Sequence, residues 1–249
     1  MAIRFFTAPF YGGGAQKFLI FELGAQTTLS LIEKNGNCLN CDICTENFNL
    51  INNMHTLVFA TNNNHKVREI EQILGSNYSV KTLKAIGCDT DIEETADTLE
   101  ANALIKARFV KDHFGFDCFS EDTGLEVAAL NGAPGVHTAR FAGEQRNPAD
   151  NMALLLERLE GQADRSARFR TVIAVTLGGQ EFLLEGICNG QIALAQSGSG
   201  GFGYDPVFIP DGYTQTFAEL GDEVKNRISH RGLATLKLVD LLATESDRA

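Results

Sequence analysis

The residues best suited to chemistry in this chain fall in a few short stretches. The first is F-S-E-D-T-G-L-E-V, Phe119 to Val127, where Glu121 and Asp122 sit side by side at the end of an apolar run. Read alone, D-T-G is ordinary turn chemistry, and the expected order here is strand, turn, strand. A second acidic pair, Glu93 and Glu94, lies in D-I-E-E-T just before a helical pattern. Two such pairs offer oxygen ligands to a hard divalent cation. Magnesium typically takes one or two carboxylates and leaves the rest of its sphere to phosphates and water. The loop T-N-N-N-H-K, Thr61 to Lys66, opens a helix. Backbone N–H groups at a helix start attract anions, and Lys66 adds a full charge. Lys106 and the late stretch K-N-R-I-S-H-R-G, with Lys225, His230 and Arg231, complete what resembles a metal–phosphate site. The plainer reading of S-H-R-G is Ser229 capping the last helix, with Arg231 incidental; alternatively, His230 and Arg231 present N–H donors to ligand carbonyl oxygens.

Two motifs narrow the chemistry by failing. Gly198, Gly200 and Gly203 spell G-x-G-x-x-G, but Y-D-P-V-F-I-P follows, and Pro206 and Pro210 cannot open the helix that a dinucleotide fingerprint requires. A glycine-rich backbone beside Phe202 and Tyr204 suits close approach to a flat ligand and stacking of an aromatic on it. No G-x-x-x-x-G-K-[ST] occurs, which excludes a P-loop nucleotidase.

The elements that position these residues alternate. Leu57 to Ala60 form a short apolar strand. Val67, Ile70, Ile73 and Leu74 follow on one helical face, ended by Gly75. Y-S-V-K-T-L is a second strand. A helix carries Leu99, Ala103, Lys106, Ala107, Val110 and Phe114 on one side, and N-G-A-P-G-V-H-T-A-R-F-A-G is a loop. The next helix has Asn147 as N-cap and Pro148 in its first turn. Strands after Arg168 turn at Gly178-Gly179 and again at Asn189-Gly190, both hairpin signals. A short strand follows the glycine-rich loop, and the last helix carries Leu233, Leu236 and Val239. The fold class is α/β: a mixed sheet with flanking helices and two lobes around a central cleft.

Residues 1–53 differ. They hold Y-G-G-G-A-Q, the trio Cys38, Cys41 and Cys44, and an asparagine-rich tail, with weak periodicity. The folded unit is expected over 54–249, with Met54 a candidate initiator and 1–53 an extension of unknown role. Three close cysteines fall short of the four ligands of a structural zinc site. The chain has 249 residues and a formal net charge of −11. That balance argues against a nucleic-acid partner, whose footprint is basic. No run reaches the roughly 18–20 apolar residues of a membrane helix, and no secretory signal is evident. Free thiols in a reducing cytoplasm are the simplest reading of the cysteines.

Taken in order, T-x-N-x-x-K, E-E-T, E-N-A-x-x-K-A-R, E-D-T-G-L, G-A-P-G-x-x-x-A-R, F-G-Y-D-P-x-F and S-H-R-G resemble the inosine triphosphatase family. Its bacterial members are the RdgB-like non-canonical purine NTP pyrophosphatases, and the likeness runs from about Thr56 to Leu242. The resemblance implies hydrolysis of ITP, dITP and XTP to the monophosphate and pyrophosphate, Mg²⁺ and a homodimer. It implies that Thr61, Asn62, Asn63, Asn64, His65 and Lys66 form the triphosphate loop. Asp122 becomes proton acceptor and metal ligand, and a glutamate of E-E-T, Glu93 before Glu94, the second ligand. Thr123, Phe202, Gly203, Tyr204, Asp205, Lys225, His230 and Arg231 become substrate contacts, and Lys106 a lysine near the phosphates. Glu121 would assist electrostatically, its repulsion with Asp122 relieved by a cation between them. Three features depart from the family pattern. Glu121-Asp122-Thr123 replaces D-D-S, Asn62 stands where glycine is usual, and the first 53 residues match nothing in the family.

Overall fold

The computed structural model describes residues 2–9, 15–23, 26–32, 55–74 and 78–246. The chain divides into two compact units, Met1–His55 and Thr56–Ala249. In the first, β1 (Ala2–Pro9), β2 (Ala15–Leu23) and β3 (Gln26–Ile32) form an antiparallel sheet in that order. The weak periodicity of the sequence hides these strands. F-L-I-F in β2 is a continuous apolar run, which gives no alternation to detect. The Cys38–Cys44 trio, the asparagine-rich tail and Gly75 lie outside the described residues.

The second unit is built on a mixed sheet. Its strands are β4 (His55–Phe59), β5 (Tyr78–Thr82), β6 (Cys118–Val127), β7 (Pro134–Gly135), β8 (Ser166–Leu177), β9 (Gln180–Ile192) and β10 (Phe208–Pro210). The order is β10-β9-β8-β6-β4-β5, with β7 pairing β6. β6 is parallel to β4 and antiparallel to β8. The helices are α1 (Asn64–Leu74), α2 (Leu99–Phe114), α3 (Pro148–Arg158), α4 (Phe217–Ile228) and α5 (His230–Ser246). Thr98 caps α2 by accepting from the Ala101 N–H, and Gly115 ends it at φ 72°. Asn147 caps α3 as the sequence implies, with Pro148 in the first turn.

The core is sorted by strand alternation. Phe119, Phe59, Ile173 and Val175 face α1 and α5, whose Ile70, Leu74, Ala234, Leu238 and Leu242 cover them. Cys118, Val58, Val172 and Ala174 face α2, against Ala103, Ala107 and Val110. A third cluster joins α3 to β10 through Leu155, Leu159, Phe169 and Phe208. Each large apolar side chain so buried contributes about 1.5–3 kcal/mol.

Several expectations are corrected. β6 runs unbroken through Asp122-Thr123-Gly124, each residue in register with β8. Gly124 is there for closeness, not turning: a Cβ on it would lie 2.9 Å from the Gly135 carbonyl oxygen. β9 likewise passes straight through Asn189-Gly190, because Gly190 lets β10 approach; a Cβ there would lie 2.2 Å from the Ile209 carbonyl oxygen. Only Gly178-Gly179 makes a hairpin, both at positive φ. The covered face of α5 carries Ala234, Leu238 and Leu242, while Leu236 is exposed. Helix α4 has no counterpart in the sequence reading. Gly221, at φ 78° and ψ 166°, interrupts it and breaks its period, although Thr216 and Glu219 supply a capping box.

Candidate active site

A cleft of about 760 Å³ opens over the β6 strand and gathers nearly every candidate residue. Thr61, Asn62, Asn63, His65, Lys66, Glu93, Glu94, Lys106, Asp122, Thr123, Phe202, Gly203, Tyr204, Asp205, Lys225, His230 and Arg231 all line it. Asn64 and Glu121 do not.

The separation of Glu121 from Asp122 follows from the two-residue repeat of a strand, which sends neighbours to opposite faces. Glu121, fully buried, takes a bidentate pair from Arg231: Nε at 2.8 Å and Nη2 at 2.6 Å. The Lys66 ammonium stands 3.1 Å from its Oε1, and Thr123 Oγ1 donates to the same oxygen at 3.1 Å. Burial pushes the Glu121 carboxyl upward, but Arg231 and then Lys66 outweigh it and hold it far below the carboxylate range. The two acids face opposite sides of the strand, and Glu121 is compensated by Arg231 and Lys66 rather than by a cation shared with Asp122.

Asp122 faces α2 instead. Its Oδ1 accepts from the Thr123 N–H at 3.0 Å, and its buried Oδ2 has no hydrogen-bond partner among the described residues. Burial raises its carboxyl above the usual value. Lys106 opposes that rise, and the charge of Glu94 adds to it. Glu94 in turn pairs with Lys106, whose ammonium also donates to the Glu121 carbonyl oxygen at 2.7 Å. Burial would raise Glu94 too, but Lys106 pulls it below its ordinary value. Of the acidic pair, Glu94 is thus the member coupled to Asp122, and Glu93 is exposed. An orphaned buried carboxylate oxygen coupled to a second carboxylate is a donor set that fits a hard divalent cation. No group of three or more His, Cys, Asp or Glu converges among the described residues, so two carboxylates are what the chain offers.

The loop Thr61 to Lys66, expected to hold a triphosphate, is more self-contained than the sequence suggests. Thr61 Oγ1 accepts from the Asn63 N–H at 3.1 Å, and Asn63 Oδ1 accepts from the His65 and Lys66 N–H groups at 3.0 and 3.3 Å. Asn63 therefore caps α1 itself, using donors that the sequence reading left free for an anion.

Asp205 holds the glycine-rich loop. Its Oδ2 accepts from the Phe202 N–H at 2.7 Å and from Lys225 Nζ at 2.6 Å. A Cβ on Gly201, at φ 69°, would lie 2.1 Å from that oxygen. The Phe202 ring is stacked on His65 at 5.2 Å, with Lys225 Nζ at 4.7 Å and the Arg231 guanidinium carbon at 5.3 Å. A 3₁₀ turn, Asp205–Val207, and then β10 follow this loop in place of the α-helix a dinucleotide fingerprint needs, consistent with rejecting that reading. Ser229 does cap α5, its Oγ accepting from the Gly232 N–H at 3.1 Å, and this places His230 and Arg231 in the first turn facing the cleft. His230 stacks on Phe169 at 4.5 Å. Burial, with Arg231 and Lys225 in the same direction, holds its imidazole well below its ordinary value, so it is neutral at pH 7. Its Nδ1 has no hydrogen-bond partner among the described residues.

Sequence reasoning missed several participants. Glu69 of α1 accepts from Lys225 Nζ at 2.7 Å and from Arg231 Nη1. Asn102 Oδ1 accepts from the Ala96 N–H at 2.9 Å and ties the acidic loop to α2. Tyr204 donates its hydroxyl to the Thr138 carbonyl oxygen at 3.0 Å. Arg146 and Asn151 line the cleft without having been singled out, as do Thr138 and Arg140, which the G-A-P-G-x-x-x-A-R motif spans without assigning them a role. An isolated acid or amide on a helix carries no sequence signal of its partner.

The sequence pattern of the Ham1 family matches residues 57–241. The chain belongs to the Ham1 family. It is 54% identical over 190 residues to a Porphyromonas gingivalis protein named dITP/XTP pyrophosphatase, covering 76% of this chain and 98% of that one. A Flavobacterium johnsoniae protein of the same name is 51% identical over 186 residues, covering 75% and 97%. Among solved structures, the Staphylococcus aureus Ham1 protein superposes with a TM-score of 0.71 at 36% identity, covering 76% of this chain and 99% of that one. A HAM1 protein from Coxiella burnetii gives 0.71 at 37% identity, covering 77% and 100%. These matches bear out the family resemblance and the mixed α/β fold. The Ham1 region begins where β4 enters the sheet and ends within α5.

Proposed function

We propose that this Ham1 protein hydrolyses non-canonical purine nucleoside triphosphates, ITP, dITP and XTP, to the monophosphate and pyrophosphate, removing them from the nucleotide pool. The observation that carries this reading is one cleft lined both by an orphaned carboxylate with lysines and by a stacking ring with buried donors. That layout fits a ligand with both a polyphosphate and a flat base.

Asp122 and Glu94, in preference to Glu93, would hold Mg²⁺. When bound, the cation supplies positive charge to the phosphates and lowers the pKa of water. Asp122 orients the attacking water and accepts its proton; its raised pKa brings it closer to the working pH of a general base. Lys66 and Lys106 offset phosphate charge, while Glu121 fixes Arg231 and stays out of the chemistry. Phosphoryl transfer is mainly positioning and charge stabilisation, so this division suffices.

Phe202 stacks the purine. Arg231 has five N–H donors, and Glu121 and Glu69 take three, leaving two for the base. Such donors match the 6-oxo group of hypoxanthine or xanthine. The amine of adenine would leave them unpaired, a loss that site geometry punishes strongly. Residues 54–249 form the catalytic domain in this reading, and 1–53 an extension. The enzyme works in the cytoplasm as a homodimer. Among the described residues no helix is long and apolar enough to cross a membrane.

The test is turnover of ITP with Mg²⁺ by the full chain and by a chain beginning at Met54. Both should release IMP and pyrophosphate one to one. Release of orthophosphate with IDP would overturn the reaction, and loss of activity in the shorter chain would overturn the domain assignment.

A further inference from the structure

The basic side chains of the cleft divide by whether they already have a partner. Six lysines and arginines line it. Lys66 pairs with Glu121, Lys106 with Glu94, Lys225 with Glu69 and Asp205, and Arg231 with Glu121 and Glu69. The side chains of Arg140 and Arg146 form no ion pair or hydrogen bond among the described residues. A nucleoside triphosphate brings about four negative charges near neutral pH. The four paired cations must share or surrender a carboxylate to meet it. The two arginines need give up nothing, and a guanidinium fork matches phosphate oxygens two at a time.

The segment bearing them is built to hold them still. Arg140 closes the 3₁₀ turn Thr138–Arg140, and Arg146 immediately precedes the Asn147 cap of α3. Between them, buried Asn151 pins the chain at two points: its Oδ1 accepts from the Ala142 N–H at 2.7 Å and its Nδ2 donates to the Ala139 carbonyl oxygen at 2.9 Å. The backbone of Arg146 lies at φ 51°, in the left-handed region. Arginine has no special ease there, and backbone outliers of this kind gather at ligand clamps. The charge of Arg146 also acts on Glu94, which lines the same cleft.

We propose that Arg140 and Arg146, carried by the segment between β7 and α3, are a phosphate clamp that grips the polyphosphate arm of the nucleotide and retains the pyrophosphate product. This rests on the pyrophosphatase reading and adds two binding residues to it.

Arg146→Gly is the informative variant, because glycine is at ease at φ 51°. It should melt at a temperature equal to or above that of the unaltered protein, while the inhibition constant for added pyrophosphate rises about tenfold at fixed free Mg²⁺. Arg140→Ala should weaken pyrophosphate similarly, and Arg146→Lys should recover part of the loss. Inhibition by inosine, which has no phosphate, should stay the same in all three. If pyrophosphate inhibits the Arg140→Ala, Arg146→Gly double variant as strongly as it inhibits the unaltered enzyme, the clamp is wrong. Equal weakening of inosine and pyrophosphate would also overturn it, by making the segment a general support. An unaltered enzyme that releases no pyrophosphate from ITP would instead overturn the reaction on which the clamp rests.

Discussion

Glu121 and Asp122 are neighbours on one strand and live under opposite electrostatic conditions. On the α5 side of β6, Glu121 has every oxygen answered: Arg231 twice, Lys66 and Thr123. On the α2 side, Asp122 has one oxygen bonded to its own neighbour's N–H and one left without a partner. Both are buried, and burial raises the pKa of each, yet the net shifts have opposite signs. A buried charge with all its partners is architecture. A buried charge kept short of partners is held ready for a ligand. The contrast assigns different work to two residues that look equivalent in the sequence.

The largest test of that contrast is Asp122→Asn. It keeps the shape, removes the charge and should lower kcat for ITP by about 10²–10⁴, the worth of a general base. Thermal stability without metal should not fall. The folded pKa of Asp122 lies above its unfolded value, so the ionised form costs stability at neutral pH. Retention of more than a tenth of the turnover would remove Asp122 from the chemistry.

Glu121→Gln should do the reverse. It strands Arg231 with half its compensation, and breaking a buried pair costs about 3–5 kcal/mol. Denaturant midpoints should therefore drop sharply, while turnover per folded molecule falls less than in Asp122→Asn. A Glu121→Gln protein as stable as the parent would erase the distinction between the two acids. Arg231 is remote from Glu121 in the chain, so this dependence is invisible in the sequence.

The smallest effect concerns His230. Its folded pKa is depressed, so below the unfolded value of about 6.5 the unfolded chain takes up a proton that the folded state refuses. Stability should fall as pH drops below that value, by up to about 1.4 kcal/mol per unit. Denaturation at pH 5.5 and 7.5 should show a smaller difference in His230→Gln than in the parent. An equal difference would mean that His230 is charged in the folded state.

The sequence carried the parts whose signals are local. The Asn147 cap, Pro148 in the first turn and the Gly178-Gly179 hairpin each need only a few adjacent residues, and each is where the pattern puts it. The losses at β6 and β9 are tertiary. Asp122-Thr123-Gly124 spells a turn, yet pairing with β8 on one side and the close approach of β7 on the other keep it extended. Asn189-Gly190 spells a hairpin, but the glycine serves the packing of β10. In the site, motif order brought most of the lining residues forward. It gave no hint that Glu121 turns away from the cleft, or that Arg140 and Arg146 face into it unpaired.

Glu69 adds a consequence for how the two halves of a ligand communicate. One carboxylate on α1 answers both Lys225 and Arg231, which stand beside the Phe202 ring. Any shift of α1 toward a phosphate is felt at those two cations, and any base that draws on them is felt at α1. Linked equilibria are reciprocal: the factor by which inosine changes the affinity for pyrophosphate must equal the factor by which pyrophosphate changes the affinity for inosine. Under the proposed function, this shared side chain would tie discrimination at the base to how firmly the phosphates are held.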